Sequence, residues 1–542
     1  MQKQIKANLA IFDLAEEFGV KVVATNDVHF LNAEDAFAHD VRLCISTNSR
    51  MSDSNRFQYT GQEYLKTEEE MLAIFPEHPE AIANTMEVYE KIERYDIQSV
   101  PLFPEPTLPE SVSSADEYLS IISREGLGKR LNGKVHPDDM MRLDHELEVV
   151  RQKHCAPYFL MLKEIIDAAR QKGIVVGPGR GYAPSMTLNY ALGLTDLLPS
   201  RYGLVSELCF NSEDNKSYPD IDFDFSLTCD DDKCSLETIY EICSERYGDN
   251  NVSKIIIFSR LNYANTLKRV FHAMGCGSER MALEVSDKLL GLVQGVVIHS
   301  SGVAVCGKNL QEMMPIQRID DQIVGQYDAH HMEKLGAIKL DFLGLPVLDK
   351  LKEASKRCNL PENYDDSRVY EFLTNVDTSD IFMLESRGTR KWLKSLKPTN
   401  LDHLAALEAL YRPNWFKYIP LYIEAKEGSS FYEHAPRFCR DCLEPTYGLL
   451  LFKEQAIKIA KKCSFTDIEA ERLCKALINP LKDELHMYEG KFMTGALNNG
   501  ATDDDAKKAW ALMKEFGPML YPYSIAISRA TLTYKNTWVK CF

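Results

Sequence analysis

The stretch Tyr218-Pro219-Asp220-Ile221-Asp222-Phe223-Asp224-Phe225 decides how this chain is read. Aspartates alternate with bulky apolar residues, the period-two pattern of a half-buried strand. A strand over Ile221 to Phe225 sets Ile221, Phe223 and Phe225 on one face and Asp220, Asp222 and Asp224 on the other. Three carboxylates on one face repel one another unless a cation sits among them. Hard divalent cations, which prefer oxygen ligands, are the natural partners. Two such ions about 3.5–4 Å apart can activate a hydroxyl nucleophile and steady a leaving pyrophosphate. The alternative is an exposed acidic strand edge, and the interleaved Ile and Phe favour the metal reading.

Other motifs extend this reading. Lys339-Leu340-Asp341-Phe342-Leu343-Gly344-Leu345 places an aspartate in an apolar, strand-like run. Alone, Asp341 is an ordinary turn or cap residue; beside an Asp-x-Asp strand it becomes a third metal ligand, with Lys339 on the same face to meet phosphate. Gly177-Pro178-Gly179-Arg180-Gly181 follows the strand-like Ile174-Val175-Val176 and precedes a helical segment. Glycines let backbone N–H groups approach a phosphate, and a helix N-terminus favours negative charge. The motif is neither a P-loop nor a dinucleotide fingerprint, so a structural turn is an equal reading of it. Arg387, Arg390, Lys391, Lys394 and Lys397 occupy one helical face with no acid among them, either a solvated face or one that tracks phosphates. Asn26-Asp27-Val28-His29, with His39-Asp40 downstream, offers metal-ligand residue types but too few for a complete site. A metal-free, structural role is the expectation there.

The 542 residues suit several domains, and 45% hydrophobic with 26% charged residues is globular composition. No apolar run reaches about 18 residues, so no transmembrane helix is expected. The N-terminal segment lacks the apolar core of a signal peptide. The fourteen cysteines form no framework beyond Cys439-Arg-Asp-Cys442, which fits free thiols in a reducing cytoplasm. A net charge of −17 argues against a surface coated in basic residues but leaves room for one basic groove. Helix is expected over residues 1–19, over most of 31–95 and over 115–172, and a short strand at Lys21–Ala24. Residues 96–112, with four prolines, read as a linker or extended crossing. Further strands are expected at Lys254–Phe258, Val303–Val305 and Ile338–Phe342, with helix dominating from about 348.

These motifs, in this order, resemble the bacterial DNA polymerase III alpha subunit family (the C-family replicative DNA polymerases). Val22 to His29 resembles the end of its PHP (polymerase and histidinol phosphatase) domain. Val176 to Gly181 resembles its palm glycine motif, and Pro219 to Phe225 with Lys339 to Leu345 its two catalytic aspartate motifs. His299-Ser-Ser-Gly-Val303 and Gly325-Gln-Tyr-Asp328 resemble the segments between them. Leu384-Glu-Ser386, Ala409-Leu-Tyr-Arg-Pro413, Glu444 to Gly448 and Glu454-Gln455 resemble its fingers. The resemblance implies an α+β multidomain chain. A PHP remnant would span 1–95, a polymerase β-like nucleotidyltransferase palm 96–255 and 298–347, a shortened thumb 256–297 and helical fingers 348–542. It implies template-directed DNA synthesis with primer–template DNA and deoxynucleoside triphosphates. Asp220, Asp222 and Asp341 would hold two magnesium ions. Gly179, Arg180, Gly181, Ser185, Lys339 and Arg412 would contact the nucleotide, and Arg387, Arg390, Lys391 and Lys394 the DNA. It further implies a cytoplasmic protein, free of the membrane, with other replisome subunits as possible partners. Both ends read as cut, and the family's clamp-binding and single-strand-binding parts are not expected.

The chain departs from the family pattern mostly where the triphosphate is held. After Gly181 stand Tyr182-Ala183-Pro184-Ser185-Met186, with Ser185 the remaining aliphatic hydroxyl. A family basic residue aligns with Asp214, near Lys216; paired lysines align with Asn479 and Pro480, while Lys475 remains. Arg412-Pro413-Asn414-Trp415 and Pro522-Tyr523-Ser524-Ile525 replace Arg-Pro-Gly-Pro and Asn-Lys-Ser-His. Charge-assisted contacts contribute roughly 1.5–3 kcal/mol each. The second expectation is therefore a catalytically impaired DNA-binding relative with an altered triphosphate pocket.

Overall fold

A computed structural model describes residues 2–210, 218–275, 278–319, 322–375, 377–428, 435–479 and 484–542. Asp214, Lys216 and Pro480 lie outside the described residues. The chain divides into two compact units, Met1–Gln98 with Ile256–His299, and Ser99–Ile255 with Ser300–Phe542. Among the described residues no helix is long and apolar enough to cross a membrane.

In the first unit, the helix Ala36–Thr47 packs against the helices Tyr263–Met274 and Glu279–Leu289. Val41, Cys44, Ile45, Val270, Ala282 and Val285 form their shared core. The expected strand at Lys21–Ala24 does not form. Its polar groups turn instead to the helix Pro79–Glu90: Ala24 N donates to Ala81 O (2.9 Å), and Asn84 Nδ2 to Val22 O (2.8 Å). A β-branched run with no ladder partner satisfies its backbone wherever it can.

The second unit holds the candidate site. Six strands are hydrogen-bonded in the order β1-β6-β3-β2-β5-β4. They are β1 (Phe223–Phe225), β2 (Val252–Arg260, in this unit up to Ile255), β3 (Val293–Val305, in this unit from Ser300), β4 (Ile316–Ile319), β5 (Gln322–Asp328) and β6 (Ile338–Gly344). β1 runs parallel to β6, whereas β3 with β6 and β4 with β5 are antiparallel. Ile221, Phe223, Phe225, Leu340 and Phe342 are buried against the helix Ala156–Gln171 through Tyr158, Phe159, Leu162 and Ile165. From Pro346 onward the unit is helical. Leu404, Leu407, Leu450, Ile457, Leu473, Phe492, Trp510 and Ile527 form its second core.

The aspartate strand is shorter than its alternation predicts, because ladder pairing with β6 starts only at Phe223. Asp220 and Asp222 precede it in extended chain, beside Pro219, which has no N–H to donate. The Ile174–Val176 run makes an isolated antiparallel bridge, Val176 with Phe225, rather than a strand. Pro178 stops further pairing for the same reason. β4 and β5 escape the sequence reading since Gln317, Arg318 and Gln326 break their apolar pattern. β3 likewise begins at Val293, ten residues before the expected Val303.

Candidate active site

The parallel register sets Phe223 opposite Phe342 and Asp224 opposite Leu343. One step earlier on the two chains stand Asp222 and Asp341, on the face opposite the two phenylalanines. Gly302 of β3 pairs with Asp341 on its other side. The Ser301 hydroxyl lies 3.5 Å from Asp341 Oδ1.

The electrostatics follow from this geometry. Asp222 is half-buried, and its Oδ1 is shielded from solvent without a hydrogen-bond partner. Burial, then the negative charges of Asp220 and Asp341, push its carboxyl up to about 6, against the pull of Arg180 and Lys339. Asp220 and Asp341, expected to act with Asp222, are thus near enough to oppose its charge. Lys339 Nζ sits 2.6 Å from Asp341 Oδ2. Burial works against the Lys339 charge, but Asp341, with Asp220 and Asp222 beyond it, outweighs burial and holds the ammonium above the ordinary lysine range. Asp224 is buried, and burial raises its carboxyl while Arg180 opposes the rise. Arg180 Nη1 lies 3.0 Å from Asp224 Oδ1, and Nε 3.8 Å from Asp222 Oδ2.

Such residues fit a hard cation: oxygen donors, mutual repulsion and a buried oxygen without a partner. Among the described residues no three acidic, imidazole or thiol groups already converge as a ligand cluster. The basic groups of Lys339 and Arg180 lie against the carboxylates instead.

The glycine loop is tied directly to the aspartate strand. Gly177 N donates to Asp224 O (2.8 Å), and Ser226 N to Val175 O (2.9 Å). A Cβ at Gly179, at φ +132°, would stand 2.6 Å from Pro184 Cγ and 3.0 Å from Thr195 Cγ2. Only glycine fits there.

Two of the expected nucleotide contacts are not presented to the carboxylates. Ser185 is fully buried in a short 3₁₀ turn, with no partner for its hydroxyl. Pro184 and the turn itself fold it inward. Arg412 spends its donors on carbonyls, Nε to Ala409 O (2.7 Å) and Nη2 to Met519 O. It lines a cavity of about 280 Å³ with Glu408, Tyr521 and Arg529. There Glu408 accepts from Tyr521 and Arg529, yet burial drives its carboxyl up to about 7.

A cavity of about 270 Å³ opens beside Asp220, lined by Tyr182, Lys453, Glu471 and Lys475 among others. Lys453 Nζ donates to the Tyr182 hydroxyl (2.8 Å), and Lys475 pairs with Glu471 (3.1 Å). Sequence reasoning passed over Lys453, Tyr182 and Ser301. Lys453 follows a buried phenylalanine and opens a helix, so its spacing carries no site signal. Ser301 stood within the His299–Val303 resemblance but without a role.

The basic helix forms over Arg387–Leu396, with Arg387, Lys391 and Lys394 exposed. Arg390 is half-buried and pairs with Asp377 (2.6 Å). Lys397 leaves the face, since the helix ends there with the backbone left-handed at φ +46°. In the first unit His29 pairs with Asp27 (3.1 Å), its ring 4.4 Å from that of Tyr59. Asp40 is bound by Arg56.

The family model of the bacterial DNA polymerase III alpha NTPase domain matches residues 117–284 and 277–344. That of the alpha subunit finger domain matches 347–500. The DNA polymerase III subunit alpha of Bacillus subtilis is 31% identical over 98% of this chain and 51% of its own length. That of Aquifex aeolicus is 29% identical over 99% of this chain and 53% of its own length. The Escherichia coli protein of the same name is 29% identical, covering 98% and 51%. The chain spans about half the length of the curated relatives it matches.

Proposed function

Because the chain belongs to the bacterial DNA polymerase III alpha family, we propose that it carries the centre for template-directed DNA synthesis, extending a primer 3′ hydroxyl with deoxynucleotides. The observation that carries this reading is that Asp222 and Asp341 immediately precede the paired Phe223 and Phe342, with the Asp220 and Asp341 charges acting on Asp222. Asp220, Asp222 and Asp341 would hold two magnesium ions. The ions supply Lewis-acid activation of the hydroxyl and charge neutralisation at the leaving pyrophosphate. Lys339, against Asp341, would offer its ammonium to the triphosphate. Arg180 restrains Asp224 and the outer edge of Asp222. In this reading residues 96–255 and 298–347 are palm, 256–297 a short thumb, 348–542 fingers and 1–95 a PHP remnant. In the same reading primer–template DNA and deoxynucleotides are the substrates, with other replisome subunits as possible partners and the cytoplasm as the place of action. Ser185 and Arg412 are left out of the nucleotide contacts, and Lys453 and Lys475 beside Asp220 take their place.

A second reading is a DNA-binding relative with impaired chemistry. It is favoured by the burial of Ser185 and by the Tyr182–Lys453 bond across the cavity beside Asp220. Extension of a labelled primer–template by the purified chain, with magnesium and four deoxynucleotides, separates the two. Extension is expected; duplex binding without any extension gives the second reading.

The exposed Arg387, Lys391 and Lys394 would track DNA phosphates. Reversing all three to Glu is expected to weaken duplex binding and to flatten the slope of log affinity against log salt by about 2–3. An unchanged slope, read by fluorescence anisotropy across a salt series, would remove this helix from the DNA face.

A further inference from the structure

The last helix, Tyr523–Cys541, carries buried hydroxyls along much of its length. Helical Ser and Thr commonly turn such groups back onto their own helix. Thr531 and Thr537 do so, donating to Ile527 O (2.9 Å) and Thr533 O (2.7 Å), while Thr533 is shared between Arg529 O of its own helix (3.0 Å) and Phe382 O outside it (3.2 Å). Ser524 and Ser528 behave differently. They stand one turn apart on the same helix face, are wholly buried, and reach out of the helix to the glycine loop. Ser524 Oγ donates to Gly181 O (3.0 Å), and Ser528 Oγ to Gly179 O. These two carbonyls flank Arg180.

Two further carbonyls of the loop accept from backbone N–H groups. Asp196 N donates to Pro178 O (2.8 Å), and Ala183 N to Arg180 O (3.1 Å). The helix is itself seated at its start, where the buried carboxylate of Glu454 accepts from Tyr523 N (2.8 Å) and Ser524 N (3.1 Å).

We propose that Ser524 and Ser528 are positioning residues of the active site: by holding the carbonyls of Gly181 and Gly179 they fix Arg180 against Asp222 and Asp224. The functional half of this rests on the polymerase reading of those carboxylates. The link also makes the last helix a lever, since a displacement along it moves the backbone on both sides of Arg180.

The test uses the full chain with Ser524→Ala, Ser528→Ala and their combination, and Ser528→Thr as the variant that keeps a hydroxyl. Amide hydrogen exchange over residues 177–183 is expected to speed up about tenfold or more in the double variant. Exchange at the centre of the last helix should stay as in the wild type, and Ser528→Thr should restore most of the protection. The rate of single-nucleotide addition is expected to fall about tenfold to a hundredfold, with the KM for primer–template held. In an Arg180→Ala background the same serine changes should cost nothing further, because they act through that arginine. Unchanged loop exchange overturns the proposal, as does a rate loss that adds in full to that of Arg180→Ala. If the wild type adds no nucleotide, the polymerase reading fails, and the exchange experiment by itself decides whether the serines hold the loop.

Discussion

In the Asp222→Asn variant, primer extension is expected to fall by about 10³-fold or more, while duplex affinity holds and thermal stability is kept or raised. Asp222 Oδ1 is buried and unpartnered, and burial plus two neighbouring carboxylates oppose the charge at this position. An amide keeps the side-chain shape and removes that opposition, which outweighs the lost attraction to Arg180 and Lys339. What it removes is the anionic oxygen that a metal ion needs. Asp341→Asn should behave alike in activity, although it also strips Lys339 of its partner. Asp224→Asn should cost far less, since Asp224 faces Arg180. Steady-state extension assays paired with melting curves check all three. Undiminished extension by Asp222→Asn would move the chemistry to another part of the chain.

Glu454→Ala is expected to lower the free energy of unfolding by about 2–4 kcal/mol, among the largest effects of any single change outside the apolar cores. The carboxylate is fully enclosed and receives two backbone N–H groups at the start of the last helix. Alanine leaves both donors buried with no acceptor. Burial raises the Glu454 carboxyl, and the hydrogen bonds from Tyr523 and Ser524 oppose that rise. Glu454→Gln, which keeps one carbonyl oxygen, should recover about half of the loss. Denaturant unfolding measures the change. A loss below about 0.5 kcal/mol for the alanine variant would mean that the helix start has another support.

The two variants test features of different legibility. The carboxylate centre was open to sequence reading because its signal is local: a period-two alternation reports which residues share a face whatever the strand later pairs with. The order of the remaining motifs extended it to Asp341, more than a hundred residues on. Glu454 was visible only as part of a family resemblance. Nothing in its neighbours tells that it will cap a helix 69 residues away. Ser185 shows the opposite failure, a hydroxyl at the expected place that Pro184 and a 3₁₀ turn fold into the interior. Lys397 fitted the helical wheel of its basic neighbours until the helix ended one residue before it.

The sequence by itself determined the run of carboxylates, the glycine loop and the family resemblance, because these depend on residue identity, local period and order along the chain. Tertiary structure decided which groups face one another. It paired β1 with β6 and so set Asp222 abreast of Asp341. It turned Arg180 onto Asp224, withdrew Arg412 to carbonyls, and joined Gly179 and Gly181 to serines 349 and 343 residues downstream. Those partnerships arise from burial, where every enclosed donor and acceptor must find a mate among whatever the packed core brings near. No local pattern encodes that choice.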